Sequence, residues 1–333
     1  MTDATITRIS ESVLHASTRR AFRVNETALV GHRHLLGEVI RIHDDEAVIQ
    51  VYEDTSGLRP GDPVTGTGSE LSVKLGPSLL GNIFDGLLRP LTSQGQFVEP
   101  GAVQTRAEQR FPFKPTVRPG QHLAAGCIFG SINRRDARSQ RCIVPPGCEG
   151  EVVSVEPAGE YGEDHPLLVL RCGPDDERTV AMAHRWPVRH PRPVAAHLPV
   201  EGPLFTGQRV LDSLFPLACG GRAAMPGGFG TGKTVLQETL AKWCDADIII
   251  YVGCGERGNE MAGVLHEFPG LEDPHTGRPL MERTVIIANT SNMPVAAREA
   301  SIYTAVTVGE YFRDQGLRVA LMADSTSRWA EAL

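Results

Sequence analysis

The chain has 333 residues, 41% hydrophobic and 22% charged, a balance that excludes global disorder and suits about two folded domains. A net charge of −7 argues against a basic nucleic-acid footprint over the whole surface. No apolar run approaches the roughly 18 to 20 residues needed to span a bilayer, and MTDATITRIS lacks the apolar stretch of a secretory signal. Membrane contact is therefore expected only through partners.

Residues 37–43 (GEVIRIH) and 47–52 (AVIQVY) alternate apolar and polar around Asp44, Asp45 and Glu46, which predicts a β-hairpin. Turn residues at Gly57, Pro60, Gly61, Gly66 and Gly68 extend this to a small all-β barrel over residues 1–74. Residues 75–110 read as a connector, because LGPSLLGNIFDGLLRPL is Leu-rich, Gly-punctuated and suited to a short helix. Residues 111–193 are again β-rich. Within them VRPGQHLAAGCIFGSI has the turn pattern of biotinyl and lipoyl carrier barrels. A carrier needs a lysine on a hairpin tip, however, and Lys114 is the only lysine of the segment, so a structural insert is expected. His184, His190 and His197 in HRWPVRHPRPVAAH have no zinc spacing and are expected to be solvated linker residues. Seven cysteines, an odd number with no CxxC, predict reduced thiols.

From 194 to 333 the pattern becomes α/β. Strand candidates at 247–253, 284–290 and 318–324 alternate with helical stretches, and Leu236, Leu240 and Trp243 recur at i, i+4, i+7. A parallel sheet covered on both faces follows. SRWAEAL at 327–333 reads as the opening of a helix without a C-cap, so the chain is expected to be cut short there.

GGFGTGKT comprises Gly227, Gly228, Phe229, Gly230, Thr231, Gly232, Lys233 and Thr234, and fits the phosphate-loop pattern G-x-x-x-x-G-K-[ST]. Its glycines let successive backbone N–H groups face phosphate oxygens, and a helix starting near Lys233 adds its positive end. Lys233 can reach the β and γ oxygens, and the Thr234 hydroxyl can ligate Mg²⁺. Asp324 ends the apolar run RVALMAD, either as a carboxylate that holds Mg²⁺ through water or as an N-cap for the following helix. Glu256 follows IIIYVG among Gly253, Gly255 and Gly258, where a carboxylate could orient a water; Glu260 competes for that role. Arg257 either stabilises developing charge or pairs with a carboxylate. Cys254 is expected to be a buried small apolar residue rather than a redox group.

Together these residues resemble the catalytic A subunit of the V-type and archaeal A-type rotary ATPases. The matching strings are ETALVGHRHLLGEVIRIHDDEAVIQVYEDTSGLRPGDPV, LSVKLGPSLLGNIFDGLLRPL, GGFGTGKT, YVGCGERGNEM, NTSNMPVAAREASIYT and ALMADSTSRWAEAL. The resemblance runs through nearly the whole chain, and GCGERGNEM and NTSNMPVAAREAS are its most specific parts. It implies a fold of α/β plus all-β type: an N-terminal β-barrel (1–74), a connector carrying the first part of the nucleotide domain (75–110), a β-rich bulge insert (111–193), and an incomplete RecA-like P-loop domain (194–333).

By the same resemblance the substrate is ATP or ADP with Mg²⁺. Lys233 and Thr234 contact phosphate and metal, Glu256 activates water, Arg257 neighbours the phosphate, Asp324 is the Walker B carboxylate, and Arg328 lies next to the site. Thr231 stands where some eukaryotic relatives carry Cys, so a redox switch in the loop is not expected. The implied partners are a non-catalytic B subunit in an alternating A3B3 ring, which supplies an arginine finger, and a central rotor stalk and a peripheral stalk. The chain is then a cytoplasmic peripheral subunit on the inner face of the membrane. Two competing readings are a truncated assembly module that binds nucleotide without turnover, and a RecA-like nucleic-acid motor, which the acidic charge disfavours.

Overall fold

The computed structural model describes residues 3–18, 22–91, 101, 109–134, 138–200, 202–228 and 230–332. The N-terminal strands are β1 (Ala4–Ser10), β2 (Val13–Thr18), β3 (Glu26–Val30), β4 (Leu35–His43), β5 (Glu46–Val51) and β6 (Pro63–Glu70). They close antiparallel in the order β1-β2-β5-β4-β3-β6. Strand alternation turns Ile6, Leu14, Val30, Val39, Ile49 and Val64 into the interior, and closure leaves no free sheet edge.

Two short strands follow, β7 (Ser72–Leu75) and β8 (Ile83–Phe84), separated by a single 3-10 turn at Pro77–Leu79. The insert contains β9 (Arg110–Pro115), β10 (His122–Leu123), β11 (Ile128–Ile132), β12 (Gln140–Ile143), β13 (Gly150–Val155), β14 (Gly159–Gly162), β15 (Leu168–Arg171) and β16 (Glu177–Val180). They form two four-stranded sheets, β10-β13-β15-β16 and β12-β11-β9-β14, which share a core of Phe111, Phe113, Phe129, Val152, Leu168 and Leu170. Lys114 sits inside β9 opposite Ser131, away from any hairpin tip. The chain then returns as β17 (His184–Pro187), antiparallel to β7, with His184 opposite Leu75 and Pro187 opposite Ser72. Lys74 thus belongs to this second ladder, outside the barrel.

The last region starts with the small pair β18 (Pro203–Leu204) and β19 (Leu217–Ala218), which flanks α1 (Arg209–Leu214). It continues through α2 (Lys233–Trp243), β20 (Ile248–Glu256), α3 (Gly258–Glu267), β21 (Thr284–Thr290), α4 (Val295–Asp314), β22 (Val319–Asp324) and α5 (Thr326–Ala330). Its sheet runs β22-β20-β21-β8, all parallel. All nine residues of β20 are buried. Period-two alternation divides them: Ile248, Ile250 and Val252 pack with α4, while Ile249 and Tyr251 pack with α2 and α3. No helix among the described residues is long and apolar enough to cross a membrane.

Two local expectations change. The buried face of α2 is Gln237, Leu240 and Ala241, and Trp243 is 44% exposed. Trp243 is the last residue of the helix, where its Cβ abuts Gly207 and the Lys242 ammonium lies 5.8 Å from its ring. His184 is not a solvated linker residue. It stands edge-on to Tyr311 and 2.9 Å from the guanidinium of buried Arg192, and burial, then that positive charge, lower its pKa to about 4. Arg192 itself is held by Asp314 at 2.6 Å and by the Trp186 ring at 5.0 Å. His190 and His197 are exposed at the ring and residue level respectively, and His190 pairs with Glu70 at 3.0 Å.

Phe84 is fully buried in the core on the α4 side. Phe84→Ala is expected to lower unfolding free energy by about 3–5 kcal/mol, which a guanidinium titration would read.

Candidate nucleotide site

Among the described residues no regular structure joins β19 to α2, and Gly227, Gly228 and residues 230–232 are exposed and lead directly into the helix. Gly230 and Gly232 have φ of 76° and 83°, a left-handed backbone that disfavours side chains. Gly227 is required on different grounds, because a Cβ there would lie 2.6 Å from the Thr231 hydroxyl. That hydroxyl donates to the Gly228 carbonyl at 2.9 Å and so closes the turn. Gly232 is the N-cap of α2 and brings no side-chain cap, so no side chain accepts from the first N–H groups of the helix at this position. Lys233 Nζ donates to the carbonyls of Gly228, at 2.9 Å, and of Gly227. Phe229 lies outside the described residues.

Thr234 is the second residue of α2, and its hydroxyl donates to Asp324 Oδ2 at 2.7 Å. Asp324 is the last residue of β22, 3% exposed and paired in the ladder with Gly253 of β20. The N-cap alternative does not hold, since the cap of α5 is Ser325 and makes no side-chain cap bond. A hydroxyl beside a carboxylate at the positive end of a helix suits Mg²⁺, which takes hard oxygen donors and completes its shell with phosphate and water oxygens. No group of three or more His, Cys, Asp or Glu capable of holding a metal occurs among the described residues. A magnesium site completed by substrate needs none.

Glu256 ends β20 and is only 6% exposed. The Arg257 N–H donates to its Oε1 at 3.2 Å, and Arg328 Nη2 lies 3.5 Å away. Burial first, then a hydrogen bond with Glu260, pushes the Glu256 carboxyl up to about 7, against the opposing pull of the Arg257 N–H and Arg328. Glu260 is therefore a hydrogen-bonded companion of Glu256, carried on the first turn of α3. Arg257 is exposed at the N-cap of α3. Cys254 is fully buried, and burial raises its thiol pKa; the Ser301 hydroxyl donates to its sulfur at 3.5 Å. All seven cysteines are free.

Two residues enter the site without having been singled out in the sequence. Arg298, on the first turn of α4, lies so close to Gly255 that a Cβ there would be 2.7 Å from its Nε, and its Nη2 donates to Ser291 O at 3.2 Å. Glu238 lies one turn beyond Thr234 on α2. Burial, then the charges of Glu267 and Asp324, raises its pKa. The i, i+4 spacing from Thr234 to Glu238 was the available signal for the second; nothing local marks the first.

Three family models match this chain: the ATP synthase alpha/beta family β-barrel domain over residues 17–68, the ATP synthase alpha/beta barrel-sandwich domain over 102–189, and the alpha/beta family nucleotide-binding domain over 207–333. The A subunit of the A-type ATP synthase of Methanopyrus kandleri is 52% identical over 334 residues, covering 98% of this chain and 56% of that protein. The V-type ATP synthase alpha chain of Halothermothrix orenii is 50% identical over 331 residues, with the same shares of 98% and 56%. The chain thus spans a little over half the length of these curated relatives. Among solved structures, the assembled ATPase EscN of the enteropathogenic E. coli type III secretion system superposes with a TM-score of 0.62 at 23% identity, over 99% of this chain and 59% of that one, a likeness of fold. With three successive domains matched and half of the residues shared with such relatives, the chain belongs to the ATP synthase alpha/beta family, among the A-type A subunits and V-type alpha chains.

Proposed function

We propose that this chain is the catalytic nucleotide-binding part of a V/A-type rotary ATPase, which couples ATP hydrolysis or synthesis to H⁺ or Na⁺ transport across a membrane. The observation that carries this reading is the Thr234–Asp324 hydrogen bond, which joins the phosphate loop to the tip of β22, the strand next to the one that ends in Glu256. The names of the relatives support it.

In this reading the N–H groups of residues 227–234 and the Lys233 ammonium hold the β- and γ-phosphates of ATP. The Lys233 ammonium is drawn from the Gly227 and Gly228 carbonyls, so phosphate competes with two neutral acceptors. Thr234 would hold Mg²⁺ through its hydroxyl and Asp324 through water; when bound, the ion neutralises charge on the phosphate oxygens. Ionised Glu256 takes a proton from the attacking water as its oxygen bonds the γ-phosphorus. The bond to the β–γ bridging oxygen breaks, and ADP leaves with that electron pair. Arg257, exposed beside the site, is placed to meet phosphate charge. A non-catalytic B partner, alternating with this chain in an A3B3 ring, would add an arginine finger, and central and peripheral stalks would carry the torque. Attachment to the inner face of the membrane is through these partners. The domain division we adopt is 1–74, 75–110, 111–193 and 194–333, with the barrel strands themselves ending at Glu70 and β7 linking the first two divisions.

In the full-length protein assembled with its B partner, Glu256→Gln should lower ATP turnover by about 10²–10⁴-fold while leaving the nucleotide Kd within about threefold. Retained turnover would overturn the assignment. Lys233→Ala should instead weaken nucleotide binding by about 10–100-fold, the loss of charge-assisted bonds worth about 1.5–3 kcal/mol, as read by titration with a fluorescent ADP. The base must be ionised, so kcat/KM should fall about tenfold per pH unit below about 7 and level off above it. The raised carboxyl pKa also favours the folded, protonated form. That stabilisation is complete below the ordinary value of 4.5 and is lost as pH rises through about 7. The thermal midpoint of Glu256→Gln relative to wild type should therefore be higher at pH 8 than at pH 5.

A further inference from the structure

Arg189 follows β17 by two residues, in the segment that leads from the insert back to the nucleotide domain. Its guanidinium is shared by two carboxylates from different domains. Nε and Nη2 donate to the two oxygens of Glu38 on β4, at 2.7 and 2.8 Å. Nη1 and Nη2 donate to the two oxygens of Glu299 on α4, each at 2.9 Å. The Tyr52 hydroxyl donates to the same Glu38, and the Tyr303 ring lies 5.2 Å from the guanidinium carbon. Glu38 and Tyr52 are both buried. A planar fork satisfied on two edges and stacked on a ring is a rigid joint, and an ammonium cannot reproduce it.

The joint ends beside the candidate catalytic loop. Glu299 directly follows Arg298, whose guanidinium lies against Gly255. The Glu299 carbonyl accepts from Trp329 Nε1 at 3.0 Å. Next to Trp329, Arg328 donates to the Gly255 carbonyl and stands 3.5 Å from Glu256. Both supports of the Gly255–Glu256 turn, the start of α4 and the short helix α5, are therefore tied to the barrel through one guanidinium.

We propose that Arg189 is a positioning residue for Glu256, holding α4 and α5 at the spacing from the barrel at which the Glu256 carboxylate faces the reacting phosphate. This rests on the assignment of Glu256 as the group that orients the attacking water. A misplacement of about 1 Å in a reacting group far from the mutated residue costs on the order of 10²-fold in rate, whereas phosphate binding by the loop at 227–234 draws on neither Arg189 nor Glu299.

The test is steady-state ATP hydrolysis by the assembled complex carrying Arg189→Lys, with nucleotide Kd and thermal midpoint measured on the same preparation. The expected result is a kcat lowered by at least about tenfold, with KM and Kd within twofold and the midpoint little changed. Adding Arg189→Lys to Glu256→Gln should lower the rate no further, because both act on one group. A wild-type kcat in Arg189→Lys would overturn the proposal, as would a loss that tracks the fraction of complex unfolded. If Arg189→Lys does not assemble, Glu299→Gln carries the same expectations, since it keeps one acceptor oxygen and removes the charge. Absence of hydrolysis in the wild-type complex would overturn the catalytic reading itself, and the positioning role with it; a normal wild type beside a normal variant removes only the latter.

Discussion

A parallel strand buried on both faces has no water to satisfy its backbone, so β20 requires a hydrogen-bonded neighbour on each edge. β21 and β22 supply them, and their registers decide where the chemistry sits. Gly253 is opposite Asp324, and Glu256 lies three residues further along β20, opposite Thr290 across the other edge. Charge is excluded along the run Ile248–Val252 and becomes tolerable only where the strand emerges at the helix N-termini. That is why two carboxylates and the phosphate loop meet at this end of the sheet. A Cβ at Gly253 would meet the Met261 methyl at 1.7 Å, so any side chain there would displace the end of Met261.

The electrostatics at this end are strongly acidic for an anion site. Glu256, Glu260, Glu238, Glu267 and Asp324 lie close enough for their charges to be felt by one another or by buried Tyr251. Against them stand Lys233, Arg257, Arg298 and Arg328. Burial, with these neighbours adding to it, raises the carboxyl pKa of Glu256 and of Glu238, and the cluster leaves charge for a cation to neutralise when phosphate arrives. In the proposed reading, the Thr234 hydroxyl and the Asp324 carboxylate, 2.7 Å apart, would be the oxygen donors for that cation.

What the sequence discloses follows from how far each interaction reaches. The phosphate loop, the three strands after it and the barrel hairpin are governed by neighbours a few residues away, through glycine dihedrals and apolar periods, and they are legible. Asp324 was ambiguous because an N-cap and a site carboxylate look alike along the chain; the difference is a hydroxyl on α2, 90 residues earlier. His184 looked solvated among Pro and Arg because its environment is made by Tyr311 and Arg192 across the fold. Arg189 sat in the same stretch, and its partners Glu38 and Glu299 lie 151 and 110 residues away. The ladder between β7 and β17 encloses the whole insert, and no local pattern announces it.

The outer strand β8 carries this long reach into biosynthesis. Ile83 and Phe84 hydrogen-bond with Ile286 and Ile287, about 200 residues later in the chain. At the usual 5–20 residues per second of synthesis, β8 leaves the ribosome roughly 10–40 s before its partner exists. The barrel, whose six strands are all within residues 4–70, can close in that interval and the insert can follow, since each is built from antiparallel neighbours close in sequence. The nucleotide sheet cannot. Phe84, fully buried in the finished protein, waits that long for its strand partner, so the nucleotide-binding domain completes its sheet after the barrel and the insert and depends more than they do on protection from aggregation in that interval.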